Sequence, residues 1–186
     1  CKIGFNKKKI FTYHHDSIFS DKLKDIKRNK YKQKKLILLF VGQISIAKGV
    51  QHAISVQKKL IQSGINSELH IVGFLVHKFL IDNTKGFKIF FHGNQNFNYL
   101  KRFYKKANIF IFPSYTEGSS LAVIEAMVAS LPIITTHNAG SFVKHGVNGF
   151  LCKPDDENKM LKYIYKLYKN PKIIDKMSSN SRKIYN

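Results

Sequence analysis

Cysteine and proline are scarce in this sequence, and no apolar run is long. Two cysteines, Cys1 and Cys152, give neither a disulfide framework nor metal-ligand spacing, so we expect two free thiols. The longest apolar run, Leu36 to Val41, is far shorter than the ~20 residues that cross a bilayer. No signal-peptide core follows the first residues. With four prolines and 44% hydrophobic residues, these absences predict a globular cytoplasmic protein, and we expect the chain to be part of a longer one.

Acidic residues are also few, because 32 Lys and Arg face only 11 Asp and Glu, for a net charge of +21. Such an excess suggests nucleic acid or an anionic membrane as partner. Only 3 of the 32 are Arg, the better bidentate ligand of bases and phosphates, so we predict no nucleic-acid binding. Two interpretations stay open. In the first, the lysine excess reflects compositional drift and lies on solvated faces without a partner. In the second, the lysines attract the chain weakly to anionic lipid headgroups, and the basic segment 22–35 is best suited to this contact.

The hydrophobic pattern divides the chain at Leu36. Residues 1–35 are polar, basic and poorly periodic, and we predict a linker, a remnant of an interdomain region, with a short strand near Ile10–Tyr13. Beyond it, strands are predicted over residues 36–41, 68–72, 87–91, 109–112, 132–135 and 149–152. Helices are predicted over residues 50–61, 97–107, 121–129, 155–169 and 171–185. This alternation predicts an α/β domain over 36–186 with a Rossmann-like, doubly wound, mostly parallel sheet.

Ligands of such sheets bind beyond the carboxyl ends of the strands, and the loop after Phe112 carries the strongest signal. Glu117 and Gly118 lie in this loop, and Glu125 lies about one turn inside the predicted helix that follows. Free N–H groups at residues 119–122 would face a phosphate at the helix N-terminus. The two carboxylates would accept hydrogen bonds from hydroxyl groups of a sugar and a ribose. Spacing alone leaves open that Glu117 is a surface charge and Glu125 an ordinary helix residue.

The string from Phe112 to Met127 resembles a family signature: Pro-Ser, then Glu-Gly-x-x-Leu, then Glu-Ala-Met, with seven residues between the glutamates. This is the signature of the GT-B glycosyltransferases, specifically of the retaining family 4 with its "glycosyl transferases group 1" domain. The resemblance runs from Leu36 to past Asp156. Its other matches are Gly42-Gln43 with Lys48-Gly49, Ile71-Val72-Gly73, Phe91-His92-Gly93, Ala107-Asn108, Pro132 to Thr135, His145 to Gly149, and Pro154 with Asp156.

The resemblance implies the C-terminal, donor-binding half of such an enzyme, with Glu117 and Lys48 as its catalytic residues. Glu117 would contact hydroxyls of the transferred sugar, Glu125 the ribose diol, and Lys48 would neutralise the diphosphate leaving group. Further donor-binding positions implied are Gly42, Gln43, Gly73, Gly93, Asn94, Gln95, Gly118, Ser119, Ser120 and Leu121.

The reaction implied is retaining transfer of a hexose from a UDP- or GDP-linked sugar, with no metal and no cofactor. Surface polysaccharide or glycolipid synthesis is the setting by family habit. The acceptor, a sugar or a lipid-linked sugar, would be bound by an N-terminal domain that this sequence lacks. We therefore expect the chain alone to bind UDP or GDP but to transfer little or no sugar. We expect it in the cytoplasm or at the inner face of the cell membrane.

Three departures from the family pattern keep an alternative open. Gln43 stands where the family has a phosphate-binding Arg, Ser119-Ser120 replaces Phe-Gly, and the stretch 139–142 is shortened and lacks a glutamate. A catalytically degenerate module that binds a nucleotide or a partner would also fit. A Rossmann-type oxidoreductase is poorly supported, because no Gly-x-Gly-x-x-Gly follows the first strand.

Overall fold

A computed structural model describes residues 20–27, 31 and 35–185. Its strands are β1 (Leu36–Val41), β2 (Ser67–Val72), β3 (Ile89–Phe91), β4 (Ile109–Phe112), β5 (Ile133–Thr136) and β6 (Gly149–Cys152). Its helices are α1 (Ser20–Lys24), α2 (Val50–Gln62), α3 (Phe97–Lys106), α4 (Leu121–Val128), α5 (Glu157–Lys169) and α6 (Pro171–Tyr185). The strand predicted near Ile10–Tyr13 lies outside the described residues.

The six strands form one parallel sheet in the order β3-β2-β1-β4-β5-β6. The chain moves from β1 outward to β3, returns to the other side of β1 at β4, and continues outward to β6. This is the doubly wound arrangement, so the predicted fold class is confirmed. The direction of winding reverses between β1 and β4, and a crevice therefore opens beyond the carboxyl ends of these two strands.

The core lies on both faces of the central strands. All four residues of β4 are buried, and Leu36, Leu38, Leu39 and Phe40 of β1 are fully buried. Strands covered by helices on both faces are expected to be continuous apolar runs. Helix α4 is buried from Val123 onward and packs against α1 and α6 as well as the sheet. No helix in the described part of the chain is long and apolar enough to cross a bilayer.

Strand β3 and helix α1 depart most from the sequence-based expectation, whereas the other elements differ by at most two residues at either end. Strand β3 begins at Ile89, two residues late, because the Phe87 N–H closes a turn onto the Thr84 carbonyl (3.3 Å) and Lys88 has a φ of +53°. Helix α1 occupies part of the segment that we assigned to a linker, and its Leu23 is fully buried against the rest of the domain. A five-residue helix with one buried apolar residue has no detectable helical periodicity in a lysine-rich segment.

The packing of α1 has polar support from the C-terminal helix. The Arg182 guanidinium on α6 donates to the carbonyl of Ile26 (2.9 Å), just after α1, and to that of Val128 (3.1 Å) at the end of α4. Ile26 itself is buried. The hydrophobic core therefore extends to residues before Leu36. In the edge strand β6, Cys152 is a buried free thiol, as expected, and burial raises its pKa to about 12, whereas Cys1 lies outside the described residues.

Candidate functional site

The loop that follows β1 rests directly on the loop that follows β4. The Ala47 carbonyl accepts hydrogen bonds from the Tyr115 N–H (3.0 Å) and from the Ser114 hydroxyl (3.2 Å). Gly49 has a φ of +71°, and a Cβ added to it would lie 2.0 Å from the Pro113 carbonyl oxygen. Only glycine fits this approach of two backbones. The two loops thus meet at the crevice between β1 and β4.

Lys48 and Glu117, the two residues assigned catalytic roles, are brought together at this contact. The Lys48 Nζ donates to Glu117 Oε1 at 2.6 Å, although the residues are 69 positions apart. Their side chains are 25% and 12% exposed, and the single O–H of Ser114 is shared between the Ala47 carbonyl and Oε1, which lies 3.1 Å from the hydroxyl oxygen. The cation and the acid therefore share one partly buried position, and in this structure each neutralises the other.

Helix α4 begins at Leu121, four residues after Glu117, and Ser120 is its N-cap. The Ser120 hydroxyl accepts from the Val123 N–H at 3.4 Å, as expected of a capping serine. The Ser120 N–H itself donates to the Ala139 carbonyl (3.3 Å), so the prediction that this amide is free was wrong. Within the described part of the chain, no partner is found for the backbone N–H groups of Gly118, Ser119, Leu121 and Ala122. The positive end of the helix dipole therefore still carries several unused donors.

The loop after β5 holds the Glu117 segment from the other side. The Glu117 N–H donates to the Asn138 carbonyl (2.9 Å), and the Asn138 side chain donates to the Tyr115 carbonyl (2.9 Å). Gly140 has a φ of +54°, and a Cβ there would lie 2.2 Å from the Gly118 carbonyl oxygen. The shortened stretch 139–142 therefore packs directly on the loop that bears Glu117, which leaves that loop little freedom.

Glu125, the second glutamate of the signature, lies on the buried side of α4. It is 8% exposed, and its Oε2 accepts from the hydroxyl of Tyr104 on α3 at 2.9 Å. Burial, together with the Glu125 charge, raises the pKa of Tyr104 well above its ordinary value, so this phenol stays a donor. Tyr104 was not among the residues predicted to act in the site. Its signal was a hydroxyl-bearing aromatic at a core position of a helix, where a polar partner is required. A ribose contact for Glu125 stays a prediction.

Three glycines predicted to bind donor lie side by side at the ends of β1, β2 and β3. The Gly73 N–H donates to the Gly93 carbonyl at 2.9 Å. A Cβ on Gly73 would lie 1.9 Å from the Gly42 carbonyl oxygen. Next to it, a Cβ on Gly42 would lie 3.1 Å from the Phe112 ring of β4. The three strand ends therefore lie in close backbone contact, and Gly42 begins the loop that carries Lys48.

The polar side chains of these loops are less constrained. Gln43 and Asn94 are exposed, and the Gln95 amide donates to the carbonyl of His92, within its own loop (2.5 Å). Gln43 is therefore on the surface of the loop that carries Lys48 and supplies no charge there. Gln95 keeps its carbonyl oxygen and a second N–H available while it donates to His92. The roles of all three residues stay predictions.

Other titratable groups cluster away from this crevice, between β2 and β3. His70 Nδ1 and His92 Nε2 are 2.9 Å apart, and His70 Nε2 is 3.4 Å from Glu68. Burial lowers the pKa of both histidines. Nowhere in the described ranges do three or more His, Cys, Asp or Glu side chains converge as metal ligands would.

These observations define a doubly wound α/β domain whose switch point holds a Lys–Glu pair beside a helix N-terminus, the place where ligands of such sheets bind. The family "Glycosyl transferases group 1" matches residues 21–184, so the chain belongs to this family. The sequence-based resemblance to group 1 glycosyltransferases is thereby confirmed. The match begins inside α1, in accordance with the packing of that helix on the core.

Individual relatives agree with this assignment. The capsular polysaccharide biosynthesis glycosyltransferase CapM of Staphylococcus aureus is 27% identical over 97% of this chain. The chain covers 49% of CapM, and so spans about half the length of the curated relatives it matches.

Solved structures share the fold. The C-terminal domain of a group 1 family protein (LpcC) from Francisella tularensis has a TM-score of 0.73 at 20% identity, covering 80% of this chain and 83% of that one. The Anabaena protein HepE was solved in complex with UDP and glucose. It has a TM-score of 0.71 at 17% identity, and the match covers 81% of this chain and 43% of the HepE chain. The chain therefore has the fold of a C-terminal GT-B domain.

Proposed function

We propose that this domain binds a nucleoside diphosphate sugar, UDP- or GDP-linked, in the crevice between β1 and β4. The observation that carries the proposal is the contact of Lys48 with Glu117 (2.6 Å). A cation suited to phosphate and an acid suited to sugar hydroxyls are direct neighbours here, and the diphosphate and the sugar of such a donor are likewise adjacent, joined by one C–O–P linkage. The relative with UDP and glucose in its structure supports a UDP-linked donor.

The division of labour follows from charge. On donor binding Lys48 exchanges Glu117 for the diphosphate, and Glu117 accepts from hydroxyl groups of the sugar. The unused amides at the start of α4 add the positive end of a helix dipole at the phosphates. Charge builds up on the nucleoside diphosphate as it leaves, and fixed donors that face this charge lower the barrier. With these groups present we propose transfer of a hexose, with retention and without a metal ion.

The complete reaction needs an acceptor site. Because the chain spans about half of its curated relatives, we propose that the acceptor, a sugar or a lipid-linked sugar, is bound by a further N-terminal domain. Surface polysaccharide or glycolipid synthesis is the proposed setting, at the cytoplasmic side of the membrane. The net charge of +21 would favour weak peripheral contact with anionic lipids.

Nucleotide binding by the 186-residue chain tests the proposal. We expect UDP or GDP to bind in isothermal titration, and Lys48→Ala to weaken binding about tenfold or more, since a charge-assisted contact contributes roughly 1.5–3 kcal/mol. Lys183→Ala on the exposed surface of α6 is the matched control for loss of one charge and should bind normally. Equal loss in both variants would mean that only net charge matters. Unchanged binding in Lys48→Ala would refute the assigned role.

One observation favours a second candidate, a module that binds nucleotide without transfer. Gln43 is exposed on the Lys48 loop and uncharged, so the leaving group would meet one cation instead of two. Loss of such a contact costs roughly 2–4 kcal/mol in the transition state. Gln43→Arg, tested in a protein that includes the acceptor-binding half, separates the candidates. A gain of transfer supports the enzyme, whereas no turnover with any sugar donor supports the binding module.

A further inference from the structure

We infer that His52 is a positioning residue of the donor site: it joins Glu157 of α5 to the hydroxyl of Tyr115 and thereby fixes the loop that carries Glu117. This inference rests on the proposed function, because the loop matters only if Glu117 meets a donor. Neither His52 nor Glu157 belongs to the motifs that carry the family resemblance. Their contact was visible only once α2, α5 and the loop after β4 were brought together.

Both ring nitrogens of His52 are engaged. Nδ1 lies 3.0 Å from Glu157 Oε1, and Nε2 lies 2.7 Å from the Tyr115 hydroxyl oxygen. The carboxylate can only accept, so Nδ1 carries the proton that it donates to Glu157. In the neutral ring Nε2 then accepts the Tyr115 O–H. The imidazole therefore has one orientation and one tautomer, as when a carboxylate orients a histidine in other sites.

Glu157 is itself held firmly, which makes it a fixed anchor for the imidazole. Its Oε2 accepts from the Ser55 hydroxyl (2.5 Å) and from Lys59 Nζ (2.7 Å), both on α2. It is also the first residue of α5, where the helix dipole favours a negative charge. Burial raises the pKa of Glu157, but the hydrogen bonds from Lys59, Ser55 and His52 outweigh burial and hold it below its usual range. The carboxylate is therefore ionised at neutral pH.

Tyr115 transmits this anchorage to the donor site. It stands two residues before Glu117, and its backbone links the loops on either side through Ala47 and Asn138. Its side chain is 39% exposed, so water would satisfy the hydroxyl if His52 were absent. The His52 contact is thus not needed to avoid a buried unpaired group; what it determines is the orientation of the ring. A loop displaced by ~1 Å can cost two orders of magnitude in a reaction that depends on alignment.

Variants that preserve or remove the Nε2 contact test the inference. His52→Gln places an amide near the position of Nε2, whereas His52→Phe keeps the ring volume and removes both contacts. We expect His52→Phe and Tyr115→Phe each to weaken binding of the glucose conjugates of UDP or GDP about fivefold without weakening binding of the bare nucleotide, because Glu117 contacts the sugar. His52→Gln should bind the conjugates as the wild type does. Because the two residues act through one contact, the double variant His52→Phe/Tyr115→Phe should be no weaker than the weaker single variant.

The controls separate positioning from folding. Tyr99→Phe, at a tyrosine that is 51% exposed on α3, removes a hydroxyl elsewhere and should bind normally. Thermal unfolding of each variant shows whether binding is measured on folded protein, and Tyr115→Phe, which leaves the packing intact, keeps the test decisive if His52→Phe is unstable. The inference about His52 would be overturned, with the proposed function left intact, if Tyr115→Phe binds the conjugates with wild-type affinity. The same holds if the losses of affinity in the two single variants multiply in the double variant. Failure of the wild type to bind any nucleoside diphosphate would overturn the proposed function and this inference together.

Discussion

Replacing Glu117 by Gln should tighten the binding of a bare nucleoside diphosphate. Glu117 Oε1 accepts a hydrogen bond from Lys48 Nζ at 2.6 Å, and phosphate must compete with this carboxylate for the cation. A glutamine has nearly the same shape and retains an acceptor oxygen, but it carries no charge. Lys48 would then be held less strongly and would be available to the phosphates. At the same time the sugar loses a charged acceptor for its hydroxyl groups.

The size of both effects follows from the burial of the pair. Exposed ion pairs contribute roughly 0.2–1 kcal/mol, and hydrogen bonds to charged groups roughly 1.5–3 kcal/mol. With side chains that are 25% and 12% exposed, the Lys48–Glu117 contact belongs near the boundary of these ranges, at about 1 kcal/mol. Glu117→Gln should therefore bind UDP or GDP roughly fivefold more tightly. The ratio of the affinity for the sugar conjugate to the affinity for the bare nucleotide should be about tenfold lower in Glu117→Gln than in the wild type.

Isothermal titration with UDP, GDP and their glucose conjugates measures both changes. Asp21→Asn is the matched control, because it makes the same change of charge on a side chain that is 87% exposed on α1. A gain in Glu117→Gln that Asp21→Asn does not share assigns the effect to the pair and not to the net charge. If Glu117→Gln binds the nucleotide with unchanged or lower affinity, Lys48 is not the cation that meets the diphosphate, and the proposed roles are refuted.

Two further predictions concern stability. The pKa of Glu157 in the folded protein lies below its ordinary value of 4.5. Its contribution to the free energy of unfolding is therefore complete above pH 4.5 and is lost as the pH falls through the lower folded-state pKa. In Glu157→Gln the free energy of unfolding should therefore fall less steeply with decreasing pH in this acid range than in the wild type, as measured by urea titration at a series of pH values. The same pH dependence in both proteins would contradict the pairing of Glu157 with Lys59 and His52. Gly73→Ala should destabilise by about 2 kcal/mol or more, because its Cβ would lie 1.9 Å from the Gly42 carbonyl oxygen. The control is Gly64→Ala, also at positive φ but with no atom within 4 Å, and equal losses in the two variants would reject the close approach.

The fold could be predicted from the sequence because its central elements have local signals. Strands β1 and β4 are continuous apolar runs, which is how a strand covered on both faces appears in a sequence. Alternation of such runs with amphipathic segments then gives a parallel sheet almost without alternatives. Helix α1 was missed for the converse reason. Its burial rests on Leu23 and on contacts with α4, and so short a segment has no detectable period.

The sequence by itself determined the doubly wound class, the loop that carries Glu117, and the chemical types of cation and acid that a nucleotide sugar would need. Only the tertiary structure decided which side chains meet: Lys48 with Glu117, Tyr104 with Glu125, and His52 with both Tyr115 and Glu157. Partners in these contacts lie between 21 and 105 positions apart along the chain. Local pattern follows from the periodicity of one helix or strand, whereas such pairs depend on the order and register of the strands, which bring distant loops to one edge of the sheet.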